Sequence, residues 1–114
     1  PEEFKLYLDN LGLKYYEHLD FTDIISKADI IYMTRVQKER FSDPIEYEKV
    51  KNVYVLKNSM LANTKANMRI LHPLPRVNEI HTDVDSNPKA YYFEQALNGV
   101  FTRQAILCSL LGIK

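Results

Sequence analysis

Two short segments carry side chains whose types and spacing could do chemistry, "TRVQKER" (Thr34 to Arg40) and "HPLPR" (His72 to Arg76). In the first, Arg35 and Gln37 stand two residues apart, so in extended backbone both leave on one side. A guanidinium fork beside a primary amide suits a carboxylate. Such a charge-assisted contact is worth about 1.5–3 kcal/mol net, and the planar fork orients its ligand, which a lysine does less well. The plainer alternative is that Arg35 closes off a strand end or pairs with Glu39 on the surface. In the second segment, Pro73 and Pro75 remove two backbone donors and fix φ, while their carbonyls and that of Leu74 remain acceptors. An edge with oxygens and few N–H groups suits an amine or amide. The Leu74–Pro75 bond can be cis at a cost of about 0.5–1 kcal/mol. The alternative is a rigid exit from a strand with no ligand. His72 could serve as acid or base, but a histidine at a strand end is more often held structurally.

Other candidates are weaker. Glu79, His81, Asp83 and Asp85 alternate in "NEIHTDVD" and could bind a metal, but a solvated loop explains them as well. There is no Gly-rich phosphate loop, no CxxC, no HExxH and no nucleophile motif, so neither a metal nor a cofactor is expected. Cys108 in "AILCSLLGI" reads as a small buried apolar residue. Fifteen basic and fifteen acidic residues cancel, which leaves no field to gather nucleic acid or an anionic membrane. No apolar run approaches a membrane span, and "PEEF" lacks the basic lead of a signal peptide, so a cytoplasmic protein or a piece of one is expected.

The elements that must position these residues follow from caps and periodicity. "PEEFKLYLDNLG" reads as a helix with Pro1 in its first turn and Gly12 as its stop. "KYYEHL" (Lys14 to Leu19) reads as a short strand, Thr22 caps a brief helix through Ala28, and "DIIYM" (Asp29 to Met33) is a fully covered parallel strand. Asp43 and Pro44 start a helix in "SDPIEYEKVK", and "VYVL" (Val53 to Leu56) is ambiguous. A helix from about Ser59 precedes a buried strand, "MRIL" (Met68 to Leu71). Two further helices are expected, one started by Asn87 and Pro88 and one stopped by Gly112. Helices alternating with apolar strands imply an α/β fold, a Rossmann-like parallel sheet with helices on both faces. In such sheets ligands bind beyond the carboxyl ends of the strands, where both polar segments lie. Three strands are few and an opening helix is odd, so the chain reads as a fragment.

The segments "DIIYMTRVQKERF" and "ILHPLPRVNEIHTDVD", with the tail "AYYFEQALNGVFTRQAIL", closely resemble the aspartate-binding half of aspartate carbamoyltransferase catalytic chains. The likeness runs from Pro1 to about Gly112 and covers roughly the last third of the family's length. It implies the reaction of carbamoyl phosphate with L-aspartate to give N-carbamoyl-L-aspartate and phosphate, in pyrimidine synthesis. Arg35 and Gln37 would hold aspartate; the Leu74 carbonyl, held by a cis Pro75, would receive the carbamoyl amide. His72, Pro73 and Arg76 would support that edge, and Glu39, Arg40, Glu46 and Tyr47 would serve domain closure. No catalytic residue of the family falls in residues 1–114. The resemblance further implies a central strand before Pro1, a carbamoyl-phosphate domain on which the helix of residues 98–114 packs, and a homotrimer lending a serine and a lysine from the neighbouring subunit. Asn78 stands where many members have aspartate, and an extra residue sits around Phe41 to Asp43. The rivals are ornithine carbamoyltransferase, which typically has cysteine in the "HPLP" position, and a non-catalytic assembly or regulatory module.

Overall fold

The computed structural model describes residues 2–36, 42–50 and 53–113. Its centre is a pair of parallel strands, β1 (Ile30–Tyr32) and β2 (Arg69–Leu71), with Ile30 opposite Arg69, Ile31 opposite Ile70 and Tyr32 opposite Leu71. β1 is apolar and β-branched, but it is not the fully covered strand that its composition suggests, because Ile30 and Tyr32 stand exposed. β2 is apolar after Arg69, and the ladder extends past each end through Arg69 N–H to the Asp29 carbonyl and Met33 N–H to the Leu71 carbonyl. On its other side Ile70 donates to the Lys89 carbonyl at 2.8 Å and accepts from Tyr91 at 3.0 Å. Ile70 is thereby paired on both flanks and fully buried. Leu56, in the ambiguous "VYVL" stretch, is extended and bridges Ile80.

The helices are α1 (Glu2–Asn10), α2 (Pro44–Val50) and α3 (Tyr92–Leu111), of which α3 packs against β2, with 3-10 turns at Ile25–Lys27, Asn58–Leu61 and Thr82–Val84. The core comprises Ile25, Met33, Leu56, Leu61, Met68, Ile70, Ile80, Val84 and Tyr92. Each large apolar side chain taken fully from water contributes about 1.5–3 kcal/mol. α1 ends as its glycine suggests: Gly12 takes φ +66° and Leu13 N–H returns to the Leu8 carbonyl at 3.0 Å. α2 starts at Pro44, with the Asp43 carboxylate accepting from Ile45 N–H at 2.8 Å. Gly112, φ +66°, caps α3.

Several expectations are corrected. Lys14 to Leu19 forms no strand: no neighbouring backbone pairs with it among the described residues, and Tyr16 and Leu19 stand exposed. The carboxylate of Asp20 accepts from Thr22 N–H, so Asp20, not Thr22, makes the turn before the 3-10 segment, and no α-helix runs to Ala28. The helix expected from Ser59 is one 3-10 turn, ended where Thr64 folds N–H and hydroxyl back to the Leu61 carbonyl. The two last helices are one helix of 20 residues. Asn87 and Pro88 lie in a turn before it, with the Asn87 side chain accepting from Lys89 N–H, because residues 89–91 are drawn into pairing with β2. Cys108 is exposed on α3, not buried.

Candidate functional site

Parallel strands end on the same edge, so Thr34–Arg35 after β1 and His72–Pro75 after β2 emerge side by side. Thr34, Arg35, His72, Pro73, Leu74 and Pro75 line one cavity of about 250 Å3. The Leu74–Pro75 peptide is cis, and Leu74 takes φ +47°, a left-handed backbone that costs a branched residue about 1–2 kcal/mol. Tyr32, His72 and Pro73 also border a larger cavity of about 650 Å3, lined as well by Gln95, Gly99 and Arg103 of α3.

His72 and Glu79 lie behind this edge, 1% and 4% exposed. The His72 ring bonds at both nitrogens: Nδ1 accepts Leu74 N–H at 2.8 Å, and Nε2 faces Glu79 Oε1 at 2.7 Å. A nitrogen that accepts a backbone N–H carries no proton, so Nε2–H is the donor to Glu79. The other Glu79 oxygen accepts from Val77 N–H and Asn78 N–H at 3.1 Å each. Burial pushes the Glu79 carboxyl upward, but bonds from its own N–H, Val77, His72 and Asn78 outweigh this and hold it below the usual carboxylate range. His72 N–H in turn donates to Gln95 Oε1 at 2.9 Å, which ties the edge to α3.

Arg76 points away from the cavity. Its guanidinium makes a two-pronged bond to the Asp85 carboxylate, stacks 5.6 Å over the Tyr92 ring, and donates to the Tyr92 hydroxyl at 3.2 Å. That hydroxyl donates to Asp85. The Arg76 fork holds Asp85 below the usual carboxylate range, despite some burial and with help from Tyr92. Asp85 in return raises Arg76. Burial, reinforced by Asp85, pushes the Tyr92 phenol up to about 12.

Arg35 and the "HPLP" edge thus share a cavity, whereas Arg76 belongs to a supporting cluster. Glu46 and Tyr47 lie on α2, the first exposed and the second half-buried. Gln37, Glu39 and Arg40 lie outside the described residues. Among the four alternating residues after the prolines, Glu79 is buried and Asp85 paired, so neither belongs to a merely solvated loop. His81 accepts Asp83 N–H to start a 3-10 turn, and no metal-holding group of side chains is found among the described residues. Sequence reasoning missed Glu79, Asp85, Tyr92 and Gln95 as supports. The contacts that make them supports reach across 7 to 23 residues, beyond any local pattern.

Residues 3–110 match the family described as aspartate/ornithine carbamoyltransferase, Asp/Orn binding domain. The aspartate carbamoyltransferase catalytic subunit of Bacteroides thetaiotaomicron is 67% identical over 114 residues, covering 99% of this chain and 36% of its own length. That of Vibrio campbellii is 53% identical over 105 residues, covering 92% of this chain and 34% of its own. Among solved structures, the catalytic subunit of M. jannaschii aspartate transcarbamoylase superposes with a TM-score of 0.87 at 43% identity, over 98% of this chain and 37% of that one. The Trypanosoma cruzi enzyme in complex with carbamoyl phosphate and aspartate superposes with a TM-score of 0.78 at 32% identity, over 93% of this chain and 35% of that one. The chain spans a little over a third of the length of the curated relatives it matches.

Proposed function

The chain belongs to the aspartate/ornithine carbamoyltransferase family, as its Asp/Orn-binding domain, and from that premise we propose that it forms the L-aspartate side of an aspartate carbamoyltransferase site. The reaction joins carbamoyl phosphate and L-aspartate to give N-carbamoyl-L-aspartate and phosphate, in pyrimidine synthesis. The observation that carries this reading is the cavity shared by Arg35 and the donor-poor edge at Leu74–Pro75. Arg35 binds an aspartate carboxylate through its fork, and Gln37 helps place the same substrate. The Leu74 carbonyl, set by Pro75, accepts from the carbamoyl –NH2, with His72, Pro73 and Arg76 supporting that edge.

With both substrates aligned, the aspartate amine attacks the carbamoyl carbon. The C–N bond forms, the C–O bond to phosphate breaks, and the amine gives up a proton. No protein nucleophile is needed, since alignment and polarisation of the carbamoyl oxygen supply the acceleration. We assign phosphate binding and polarisation to a carbamoyl-phosphate half outside these 114 residues, so the isolated chain is inactive in this reading. We assign domain closure to Glu39, Arg40, Glu46 and Tyr47, and residues 98–114 pack on that half. The exposed Val100, Phe101, Leu107 and Leu110 of α3 support this packing. A homotrimer supplies the neighbouring subunit's serine and lysine. A cytoplasmic location belongs to the same reading; no helix among the described residues is long and apolar enough to cross a membrane.

The test is Arg35→Ala in the full-length chain, assayed for carbamoyl aspartate. Losing a charge-assisted contact of about 1.5–3 kcal/mol corresponds to a rise in the KM for aspartate of roughly 10- to 150-fold. An unchanged KM would remove Arg35 from its role and the reading with it.

A further inference from the structure

We propose that Glu79 and His72 form a positioning pair that sets the substrate-facing carbonyl of Leu74 by fixing the histidine tautomer. The inference rests on the reading that this carbonyl receives the carbamoyl amide.

The chain of bonds is continuous. The Glu79 carboxylate takes the Nε2 proton of His72 at 2.7 Å, which leaves Nδ1 bare to accept Leu74 N–H at 2.8 Å. Pro73 and Pro75 have no N–H, so within the proline segment Leu74 N–H is the one backbone handle by which the protein can orient that edge. Leu74 sits at φ +47°, where a leucine is not at rest, and its N–H bond to His72 is the polar contact that holds it there. With the Nδ1-protonated tautomer, a proton would face Leu74 N–H, two donors would meet, and the Pro73–Leu74 peptide would turn, which changes φ of Leu74 and with it the direction of the Leu74 carbonyl. Glu79 excludes that tautomer because its second oxygen is committed to Val77 and Asn78 N–H, which keeps the first aimed at Nε2. Both residues are almost wholly buried, so water does not substitute for either partner. Neither side chain touches substrate in this assignment; each acts through Leu74.

The geometry makes Glu79→Gln a sharp perturbation despite equal size. The glutamine oxygen can face either His72 or the two backbone N–H groups, and its –NH2 must then meet a donor at the other end. Facing His72, that –NH2 demands an unprotonated Nε2 and moves the proton to Nδ1. In the full-length chain Glu79→Gln is expected to lower kcat by about 10-fold or more, with the KM for aspartate within about 3-fold, in line with the cost of small misplacements.

A second pair of variants separates positioning from mere stability. In His72→Asn the amide oxygen overlies Nδ1 and can still accept Leu74 N–H. In His72→Gln the amide overlies Nε2 and keeps only the Glu79 contact. Positioning requires that His72→Asn retain several-fold more kcat than His72→Gln. If Glu79→Gln keeps wild-type kcat, or if His72→Gln equals or exceeds His72→Asn, the proposal is overturned. Arg35→Ala, measured beside them, judges the underlying reading separately: its KM effect does not depend on residues 72 or 79.

Discussion

Removing one oxygen atom from Tyr92 tests how the proline edge is anchored to α3. The ring is fully buried at the start of that helix, its centroid 4.7 Å from that of Phe93 in an edge-to-face arrangement, and Tyr92→Phe leaves this packing intact. What disappears is the hydroxyl that donates to Asp85 and accepts from Arg76 at 3.2 Å. A hydrogen bond to a charged group contributes about 1.5–3 kcal/mol. Asp85 keeps both N–H bonds from Arg76, so no charge is stranded, and the loss falls near the lower end, about 1.5 kcal/mol. Asp85→Ala is different in kind, since it strips the guanidinium of its carboxylate. With the Arg76 and Asp85 side chains 17% and 32% exposed, its cost lies between that of a surface pair and a buried one, about 2 kcal/mol. Because the two substitutions remove a shared bond, the double variant should cost less than their sum by about 1 kcal/mol. Urea unfolding of the full-length chain measures all three. A Tyr92→Phe variant within about 0.5 kcal/mol of wild type, or strict additivity, refutes the coupling of Arg76, Asp85 and Tyr92.

Further outcomes follow from the same contacts. Asp85 and Glu79 are both held below their ordinary values, so their contributions are present above about pH 4 and are lost as pH falls through the lower folded values; acid unfolding of Asp85→Asn and Glu79→Gln should therefore show a shallower limb than wild type. Tyr92, raised to about 12, contributes fully below the free phenol value near about pH 10 and loses this as pH rises through about 12, a limb absent in Tyr92→Phe. Ile70→Ala, at the fully buried centre of the ladder, should cost about 2–5 kcal/mol in urea unfolding. A Cβ on Gly99 would come within 2.8 Å of Arg103 Nη1, the end of a flexible side chain. Gly99→Ala should then displace that guanidinium and stabilise α3 by up to about 1 kcal/mol, and destabilisation would show that Arg103 is held in place.

The parts of the fold that local chemistry specifies were legible. The segments Ile30–Tyr32 and Arg69–Leu71 pair as parallel strands, Asp43 and Pro44 open α2, and Gly12 and Gly112 close their helices. What failed depended on distant neighbours. "KYYEHL" has the composition of a strand, but a strand exists only where a second backbone meets it. Asn98 and Gly99 suggest a break, yet α3 runs through them, with Thr102 bonded to the Asn98 carbonyl. At the candidate site, Arg35 and the prolines announce themselves by residue type, whereas Glu79 looks like one more acid in a polar loop. It is buried with its carboxylate against His72, seven positions away. Gln37, Glu39 and Arg40 lie outside the described residues.

The Glu79 carboxylate grips His72 with one oxygen and the Val77 and Asn78 amides with the other, so residues 72–79 form a ring closed at a single buckle. In such a ring, arc length matters more than lettering. Val77 projects outward and can change its side chain freely. One amino acid inserted between Pro73 and Arg76 would leave the buckle unable to meet, whatever its chemistry.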